Sequence, residues 1–242
     1  MLEILEYPFN VSKILRKKKD LRRFLIEKKN LIDIKIAVLG ATTTFEIIDQ
    51  LELFLLKAGF KPKFYSSEYG QHYNVVMFEE KELINFKPDI VYIHVSTECI
   101  DELDKDDKPS KQKAKVEFNE LQKIWEKINT NLNCPILQDN FELPVVRYLG
   151  NFSFTSTKGS SRTVSLLNEM INEEANKLPY LNIIDRFYLS SKMGLDLWKD
   201  YSLWLSSKYS LSYNGITHLS YTVSKVINSL LKSQIKWGTN KI

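Results

Sequence analysis

The stretch Ile34-Lys35-Ile36-Ala37-Val38-Leu39-Gly40-Ala41-Thr42-Thr43-Thr44 decides the fold. Five of its first seven residues are apolar and three are β-branched, which favours a central parallel strand covered on both faces. Gly40 permits a tight turn, and one of the threonines caps a helix predicted for Phe45–Ala58. Ligands of open α/β sheets bind outside the carboxyl ends of the strands. We therefore expect Gly40 to Thr44 on the floor of any chemical centre.

Four further segments have the composition of short strands, at residues 61–66, 89–95, 135–140 and 180–185. Helical patterns separate them at 74–86, 115–129 and 160–177, and a last helix is predicted from Ser212 or Asn214 to about Lys232. Short links between strand, helix and strand make right-handed crossover units. The sequence thus predicts an α/β fold, a doubly wound three-layer sandwich whose five parallel strands have the flavodoxin-like order 2-1-3-4-5.

The first thirty residues are predicted to form a basic helical extension (1–30) that precedes the main α/β domain (31–242). Asn10 caps a helix from Val11 to about Lys29, which contains Lys17-Lys18-Lys19. Much of the net charge of +4, from 34 basic and 30 acidic residues, lies in this helix. Because the basic run has no interleaved aromatic residues and no binding motif, it predicts a solvated helix face and no nucleic-acid partner.

Composition and cysteine usage indicate an ordinary globular protein. The 242 residues are 43% hydrophobic, and no apolar run approaches the roughly 18 residues of a membrane span. Cys99 and Cys134 are far apart, and the N-terminus lacks the pattern of a signal peptide, so we expect a reduced, soluble, cytoplasmic protein. The histidines and cysteines lack metal-ligand spacing, and no glycine-rich phosphate loop is present, so no metal and no cofactor are predicted.

Several short motifs occur in the order found in SGNH hydrolases. Gly40-Ala41-Thr42 follows the first strand, Gly70 the second and Ser96-Thr97-Glu98 the third, and His218 lies near the final helix. The chain is similar, more specifically, to the N-terminal region of FkbH-like proteins of HAD subfamily IIIC. The segments that carry this resemblance are 35–40, 64–71, 86–93, 143–151 and 203–209.

The resemblance implies a partner domain. In that family an SGNH-like region precedes a HAD phosphatase-type domain, so such a domain is expected C-terminal to Ile242. The Asp-x-Asp pattern of a HAD site occurs only at Asp104-Lys105-Asp106, in a charged loop predicted at 101–115. The family also implies acyl transfer to a carrier protein, or phosphatase-like work, in polyketide or surface-polysaccharide biosynthesis. That chemistry belongs to the HAD domain.

The SGNH-like positions are altered in this chain. Thr42 stands at the position of the serine nucleophile, and Glu98 stands where an asparagine donates to the oxyanion. His218 has Gly215 three residues before it, where an aspartate orients the histidine. Because an ionised glutamate has no N–H to donate, it would repel a developing oxyanion. Thr42 and His218 are therefore the candidate catalytic pair of a degraded site.

Other polar residues are expected near the same edge of the sheet. The candidates for oxyanion or ligand binding are Gly40, Gly70, Gln71, His72, Ser96, Thr97, Glu98 and Asn140. Simpler interpretations stand beside these. The three threonines suit helix capping, and His94 suits a hydrogen-bonded core histidine better than a base. Trp198, Trp204 and Tyr209 suit packing of the last helix better than sugar binding.

Three functions remain open from the sequence. The first is a noncatalytic or weakly catalytic domain that binds an acyl group, a carrier-protein arm or a sugar intermediate. The second is an esterase or acyltransferase that uses the hydroxyl of Thr42 with His218 or His72. The third is an interaction module whose basic N-terminal helix, with Lys17, Lys18 and Lys19, docks an acidic carrier protein.

Overall fold

The computed structural model, which describes residues 2–100, 103 and 108–238, contains one parallel five-stranded sheet. Its strands are β1 (Ile32–Gly40), β2 (Phe60–Ser66), β3 (Ile90–His94), β4 (Ile136–Asp139) and β5 (Leu181–Ile184). Their order is β2-β1-β3-β4-β5, and every neighbouring pair is parallel. The predicted α/β fold and flavodoxin-like strand order are therefore confirmed. The predicted Asp104-Lys105-Asp106 motif lies outside the described residues.

Helices connect the strands and flank them. The α-helices of the described part are α1 (Val11–Ile26), α2 (Phe45–Ala58), α3 (His72–Met77), α4 (Lys81–Phe86), α5 (Ser110–Leu132), α6 (Ser160–Ala175), α7 (Arg186–Met193), α8 (Leu195–Trp198), α9 (Tyr201–Ser207) and α10 (Tyr213–Gly238). Short 3-10 helices lie at Leu2–Leu5, Thr97–Cys99 and Gly150–Ser153. Among the described helices, none is long and apolar enough to cross a membrane.

Strand β1 is covered on both faces, as the sequence predicts. Ala37 and Leu39 pack into the core beneath α3 to α6, whereas Ile36 and Val38 pack into the core beneath α2 and α10. All four side chains are fully buried. The alternation of side chains along the strand therefore feeds two separate cores, which makes the sandwich three layers thick.

Helix α1 packs on α2. Its buried residues Ile14, Leu21 and Leu25 share a core with residues of α2. Asn10 accepts a hydrogen bond from the N–H of Lys13, as expected of a cap. The ammonium of Lys18 lies within 2.8 Å of carboxylates on α2, so part of the basic run is neutralised within the chain. Whether 1–30 is a separate extension stays a prediction.

Two segments differ from the prediction. The helix predicted at 74–86 is interrupted, because the N–H groups of Phe78 and Glu79 both donate to the carbonyl of Asn74 and end α3 there. The aromatic segment before α10, which no predicted strand or helix covers, forms α7, α8 and α9. The side chains of Asp185 and Asp200 accept hydrogen bonds from N–H groups of the first turns of α7 and α9. These caps make short helices from a segment without clear periodicity.

Gly40 serves the tight turn predicted for it through the space that it leaves, and not through its backbone angle. The positive-φ glycines of the described residues are Gly59, Gly70, Gly150 and Gly194, so Gly40 does not use left-handed backbone. A Cβ at position 40 would instead lie 2.6 Å from the carbonyl oxygen of Thr42 and would collide with the side chain of Thr44. The turn after β1 is therefore closed too tightly for any side chain at this position.

We predict that Gly40→Ala lowers the free energy of unfolding by about 1–3 kcal/mol, because the added methyl group forces a backbone shift in a packed turn. Urea denaturation measures the change. Gly70→Ala is the comparison, since a Cβ there meets no atom within 4 Å and only the positive φ of 72° is strained. A cost of about 1 kcal/mol is expected for it. A Gly40→Ala protein as stable as the original would contradict the steric explanation.

Candidate functional site

A buried histidine–aspartate pair lies where β3 and β4 end. Nδ1 of His94 is 2.8 Å from Oδ2 of Asp139, and both side chains are fully buried. The hydroxyl of Tyr92 also donates to Asp139, at 3.0 Å. A carboxylate only accepts, so Nδ1 carries the proton and Nε2 is left as an acceptor. Burial, helped by Arg186, lowers the pKa of His94, so its imidazole is neutral at neutral pH.

A buried arginine links two carboxylates beside this pair. Arg186, the first residue of α7, is fully buried. Its NH1 atom lies 3.3 Å from Oδ2 of Asp139, and its NH2 atom lies 3.1 Å from Oε2 of Glu142. Burial alone would raise the pKa of Glu142, but the charges of Arg186 and Lys199 hold it at about 2. The cluster therefore keeps a buried carboxylate ionised.

A serine completes a chain of polar contacts that ends at Asp139. Oγ of Ser210 lies 3.4 Å from Nε2 of His94 and 3.3 Å from Oγ1 of Thr42. Ser210 is in the segment between α9 and α10. The N–H of Thr43 donates to the carbonyl of Lys208 at 3.1 Å and ties this segment to the turn after β1. The contacts thus run from the hydroxyl of Thr42 to that of Ser210, then to the imidazole of His94 and the carboxylate of Asp139.

A lysine occupies the rim of the same site. Nζ of Lys199 lies 2.7 Å from Oε1 of Glu142 and donates to Oγ1 of Thr97 at 2.8 Å. It also forms an ion pair with Glu98. The hydroxyl of Ser96 donates to Glu142 at 2.6 Å and to Glu98. The three residues predicted after β3 are thus brought together, but two of their side chains bind Lys199, and the third donates to acidic partners of Lys199.

A cavity of about 480 Å³ opens above these residues, within the size range of small-molecule sites. We call it the Ser210 cavity. Its polar part is lined by Thr97, Glu98, Asp196, Lys199, Asp200 and Ser210. Its wall is largely apolar and aromatic, and includes Ile100, Leu103, Pro144, Val145, Val146, Tyr148, Leu195, Tyr201 and Trp204. Of the tryptophans, Trp198 is buried in the core as predicted from the sequence, whereas Trp204 faces this cavity.

The structure places Thr42 and His218 in different surroundings. Thr42 is 1% exposed and contacts Ser210. His218, in the first turns of α10, has Nδ1 2.9 Å from the carbonyl of Asn214, and its ring packs 5.2 Å from that of Phe9. It lines a separate cavity with Tyr7 and Phe9. The histidine that approaches the hydroxyl groups is His94, which the sequence analysis interpreted as a core residue.

Three of the other predicted ligand residues have structural partners. The N–H of Gly40 donates to Oγ of Ser67 at 3.0 Å. Gln71 accepts a hydrogen bond from Asn74. Asn140 donates to Asp185 and accepts from the N–H of Phe187, so it joins the end of β4 to the start of α7. The fourth, Gly70, is exposed and has left-handed backbone. These four residues are not gathered around one cavity.

His72 lines another cavity, of about 550 Å³, with Cys99 and Phe141. Its Nδ1 is buried and has no hydrogen-bond partner. Burial, and secondarily the charge of His94 if protonated, lowers the pKa of His72 to about 4. Within the described residues, no group of three or more His, Cys, Asp or Glu side chains is arranged to hold a metal ion.

The sequence analysis missed Asp139, Glu142, Arg186, Lys199 and Ser210. One signal was available for two of them. Asp139 ends β4 and Arg186 follows β5 by two residues, so both lie at the edge where β1 and β3 also end. Ser210 has no such signal, because it lies in a connection whose position depends on the packing of α7 to α9.

Comparison with solved structures gives the class of fold. The chain superposes on the N-terminal part of BF1531 from Bacteroides fragilis, a structure that contains a phosphatase domain complexed with Mg, with a TM-score of 0.79 and 18% identity. The match covers 88% of this chain and 57% of that one. A protein of Slackia heliotrinireducens classed with the SGNH hydrolases matches with a TM-score of 0.53 and 10% identity, over 82% of this chain and all of that one. The fold is therefore that of the SGNH hydrolases.

The sequence itself gives the family. The family described as FkbH, N-terminal domain matches residues 35–228, which is most of the chain. The protein therefore belongs to the FkbH N-terminal domain family, and the resemblance found from the motifs is confirmed. No curated protein sequence matches the chain.

We predict that part of the stability of the protein is lost as the pH falls from about 6.5 to about 4, the interval between the unfolded and folded pKa values of His72. The folded state binds fewer protons in this interval, so the free energy of unfolding decreases as the pH decreases. His72→Gln should make this loss smaller by about 1–2 kcal/mol, after allowance for partial solvent exposure. Urea unfolding at a series of pH values measures it.

His218→Gln is the matched control for removing a histidine, because that residue lines a different cavity. An unchanged pH dependence in His72→Gln would show that the buried Nδ1 of His72 does not resist protonation.

Proposed function

We propose that this domain binds an acyl group, carried as a neutral ester, thioester or amide, in the Ser210 cavity. The observation that carries the proposal is the cavity itself, whose apolar and aromatic wall leads to polar groups at one end. An acyl chain buries its methylene groups against such a wall, and its carbonyl can accept a hydrogen bond at the polar end. Among the ligands open from the sequence, the wall favours an acyl group over a sugar.

The charges of the site favour a neutral head group over a free acid. Arg186 and Lys199 are the cations, and Asp139, Glu142, Glu98, Asp196 and Asp200 are the acids. Their formal charges sum to −3 while His94 is neutral. Each cation is already paired with two carboxylates, so a free carboxylate would be bound against a net negative charge. A carbonyl linked to sulfur, oxygen or nitrogen has no such penalty.

We propose that the bound acyl group is passed to a phosphatase-type domain of the HAD class, in the same protein or in the same pathway. The family supports this, and BF1531 provides a precedent, since that structure includes a phosphatase domain beside the matching region. The pathway that we propose is polyketide or surface-polysaccharide biosynthesis, because the resemblance to FkbH-like proteins implies it. The domain then binds an acyl group on which another active site acts.

We predict that the protein binds N-octanoyl ethanolamine, a neutral acyl amide, at least tenfold more tightly than octanoate. Isothermal titration calorimetry at neutral pH measures both affinities. Trp204→Ala should weaken binding of the amide by about tenfold, because an indole on the cavity wall is replaced by a methyl group and about 1–2 kcal/mol of apolar contact is lost.

Phe24→Ala is the control, since Phe24 is an exposed aromatic residue of α1 outside the cavity. Equal affinity for octanoate and the amide would contradict the charge argument. Loss of affinity in both variants, or in neither, would contradict the assignment of the cavity.

Docking of an acidic acyl carrier protein on α1 is proposed as the way the acyl group arrives. The exposed side chains of α1 include Lys17 and Lys19, whereas Lys18 is held by Glu46 and Asp49. The part of the basic run available to a partner is therefore smaller than the sequence suggests. A test must leave Lys18 in place, because its removal would weaken the contact between α1 and α2.

We predict that the double variant Lys17→Glu/Lys19→Glu weakens binding of an acidic acyl carrier protein by roughly fivefold, since exposed ion pairs contribute at most about 1 kcal/mol each. Surface plasmon resonance at low salt measures it. The double variant Lys61→Glu/Lys63→Glu on edge strand β2 makes the same change of charge at other exposed positions. Equal weakening by both pairs would indicate net charge alone, and no weakening by the first would remove α1 as the docking surface.

A further inference from the structure

We propose that Ser210 is a nucleophile that accepts the acyl group bound in the Ser210 cavity, with His94 as its base and Asp139 as the residue that positions the base. The proposal rests on the proposed function in one respect, that the cavity delivers the acyl group. It assigns catalysis to residues other than the pair Thr42 and His218, and it makes the domain an acyltransferase or an esterase.

The geometry has the three relations that an activated serine requires. The hydroxyl of Ser210 lies 3.4 Å from Nε2 of His94. The other ring nitrogen of that histidine donates to Asp139 over 2.8 Å, which fixes the tautomer that leaves Nε2 free to accept a proton. The three residues come from a loop, from the end of β3 and from the end of β4, so the triad is recognised by its contacts and not by its order in the chain.

Ser210 is better placed than Thr42 to reach a bound molecule. Both hydroxyl groups are nearly buried, but Ser210 lines the Ser210 cavity, and Thr42 lies behind it. Thr42 also has an extra methyl group that crowds attack on a carbonyl. In this arrangement the hydroxyl of Thr42 supports the position of Ser210 through their 3.3 Å contact. The SGNH-like turn after β1 then contributes a positioning residue, and the nucleophile comes from the loop before α10.

The reaction with a thioester balances without any further reagent. Oγ of Ser210 attacks the carbonyl carbon while its proton passes to Nε2 of His94, and a tetrahedral intermediate forms. The C–S bond then breaks, the sulfur takes the proton from Nε2, and the free thiol leaves. The acyl group remains on Ser210 as an ester. Water or an alcohol then gives its proton to Nε2 and attacks this ester, and Ser210 recovers its proton as the acyl group departs.

A cation lies in the same cavity and is held there by its partners. The ammonium of Lys199 lines the Ser210 cavity, and its three N–H groups meet Glu142, Thr97 and Glu98. One of these contacts has to open for the ammonium to donate to the oxyanion. Such a donor stabilises the negative oxygen of the tetrahedral intermediate more than the neutral carbonyl of the substrate. Glu98, which was interpreted as a repulsive residue at the asparagine position, pairs with this lysine and thereby helps to hold it at the rim.

The test is acylation of the purified protein by the octanoyl thioester of N-acetylcysteamine, followed by intact mass spectrometry and peptide mapping. We expect a mass increase of one octanoyl group located on Ser210. Ser210→Ala should give no adduct, and a cooperative urea unfolding transition like that of the original protein shows that it is folded. Ser210→Cys should restore acylation, because a thiol at the same position is also a nucleophile. Ser207→Ala, an exposed serine three residues earlier, is the matched control and should be acylated like the original.

Each outcome separates this proposal from the proposed function. An adduct on Ser210 that disappears in Ser210→Ala supports the nucleophile. An adduct on Thr42 or on any other residue, or neither an adduct nor release of the free thiol in a protein that binds the octanoyl amide, overturns the nucleophile and leaves acyl binding intact. No adduct together with no binding of the amide overturns both.

Discussion

The carboxylate of Asp139 is the point on which the carboxyl edge of the sheet depends. It is fully buried and receives hydrogen bonds or an ion pair from Tyr92, His94 and Arg186. A buried carboxylate without partners costs several kcal/mol, so each of these contacts is needed to keep the others favourable. The three partners come from β3 and from the start of α7. One charge therefore fixes how two connections leave the sheet, and it also selects the tautomer of the only histidine among them.

Arg186 extends this constraint to the surface. Its guanidinium joins Asp139 to Glu142, and Glu142 joins Lys199 at the rim of the cavity. The stacking of Arg186 near Trp198, with 5.8 Å between the guanidinium carbon and the ring centroid, places the same cation against the core beneath α10. The contact between Arg186 and Glu142 is a charge pairing and not a hydrogen bond, because Nε and one terminal nitrogen of Arg186, and Oε2 of Glu142, have no hydrogen-bond partner. The same ion pairs thus determine both the stability of the fold and the electrostatics of the cavity. A substitution that alters one of these properties therefore alters the other.

The candidate site lies at the edge where the parallel strands of an SGNH-like sheet end, but its residues differ from the expected motif positions. An SGNH-like sheet gathers side chains where its parallel strands end, whichever residues the sequence provides there. In this chain the turn after β1 has a threonine, the histidine near the last helix packs on Phe9, and a different histidine at the end of β3 faces a hydroxyl. The altered motif positions therefore show that Thr42 and His218 do not form a pair. They do not reveal the contact between Ser210 and His94 at the same edge of the sheet.

The sequence by itself determined the fold. The nearly continuous apolar run of β1 predicts burial on both faces, Asn10 caps α1, and Gly59, with φ of 97°, ends α2 where the pattern predicts it. These are local signals, read over a few residues. Only the tertiary structure decided which side chains meet. Ser210 and His94 are 116 residues apart and His94 and Asp139 are 45 apart. The contact of His94 with Asp139 follows from the pairing of β3 with β4, in which Ile93 is opposite Gln138. The contact of Ser210 with His94 is not encoded in the periodicity of either segment, because it is set by the packing of α7 to α9 against the sheet.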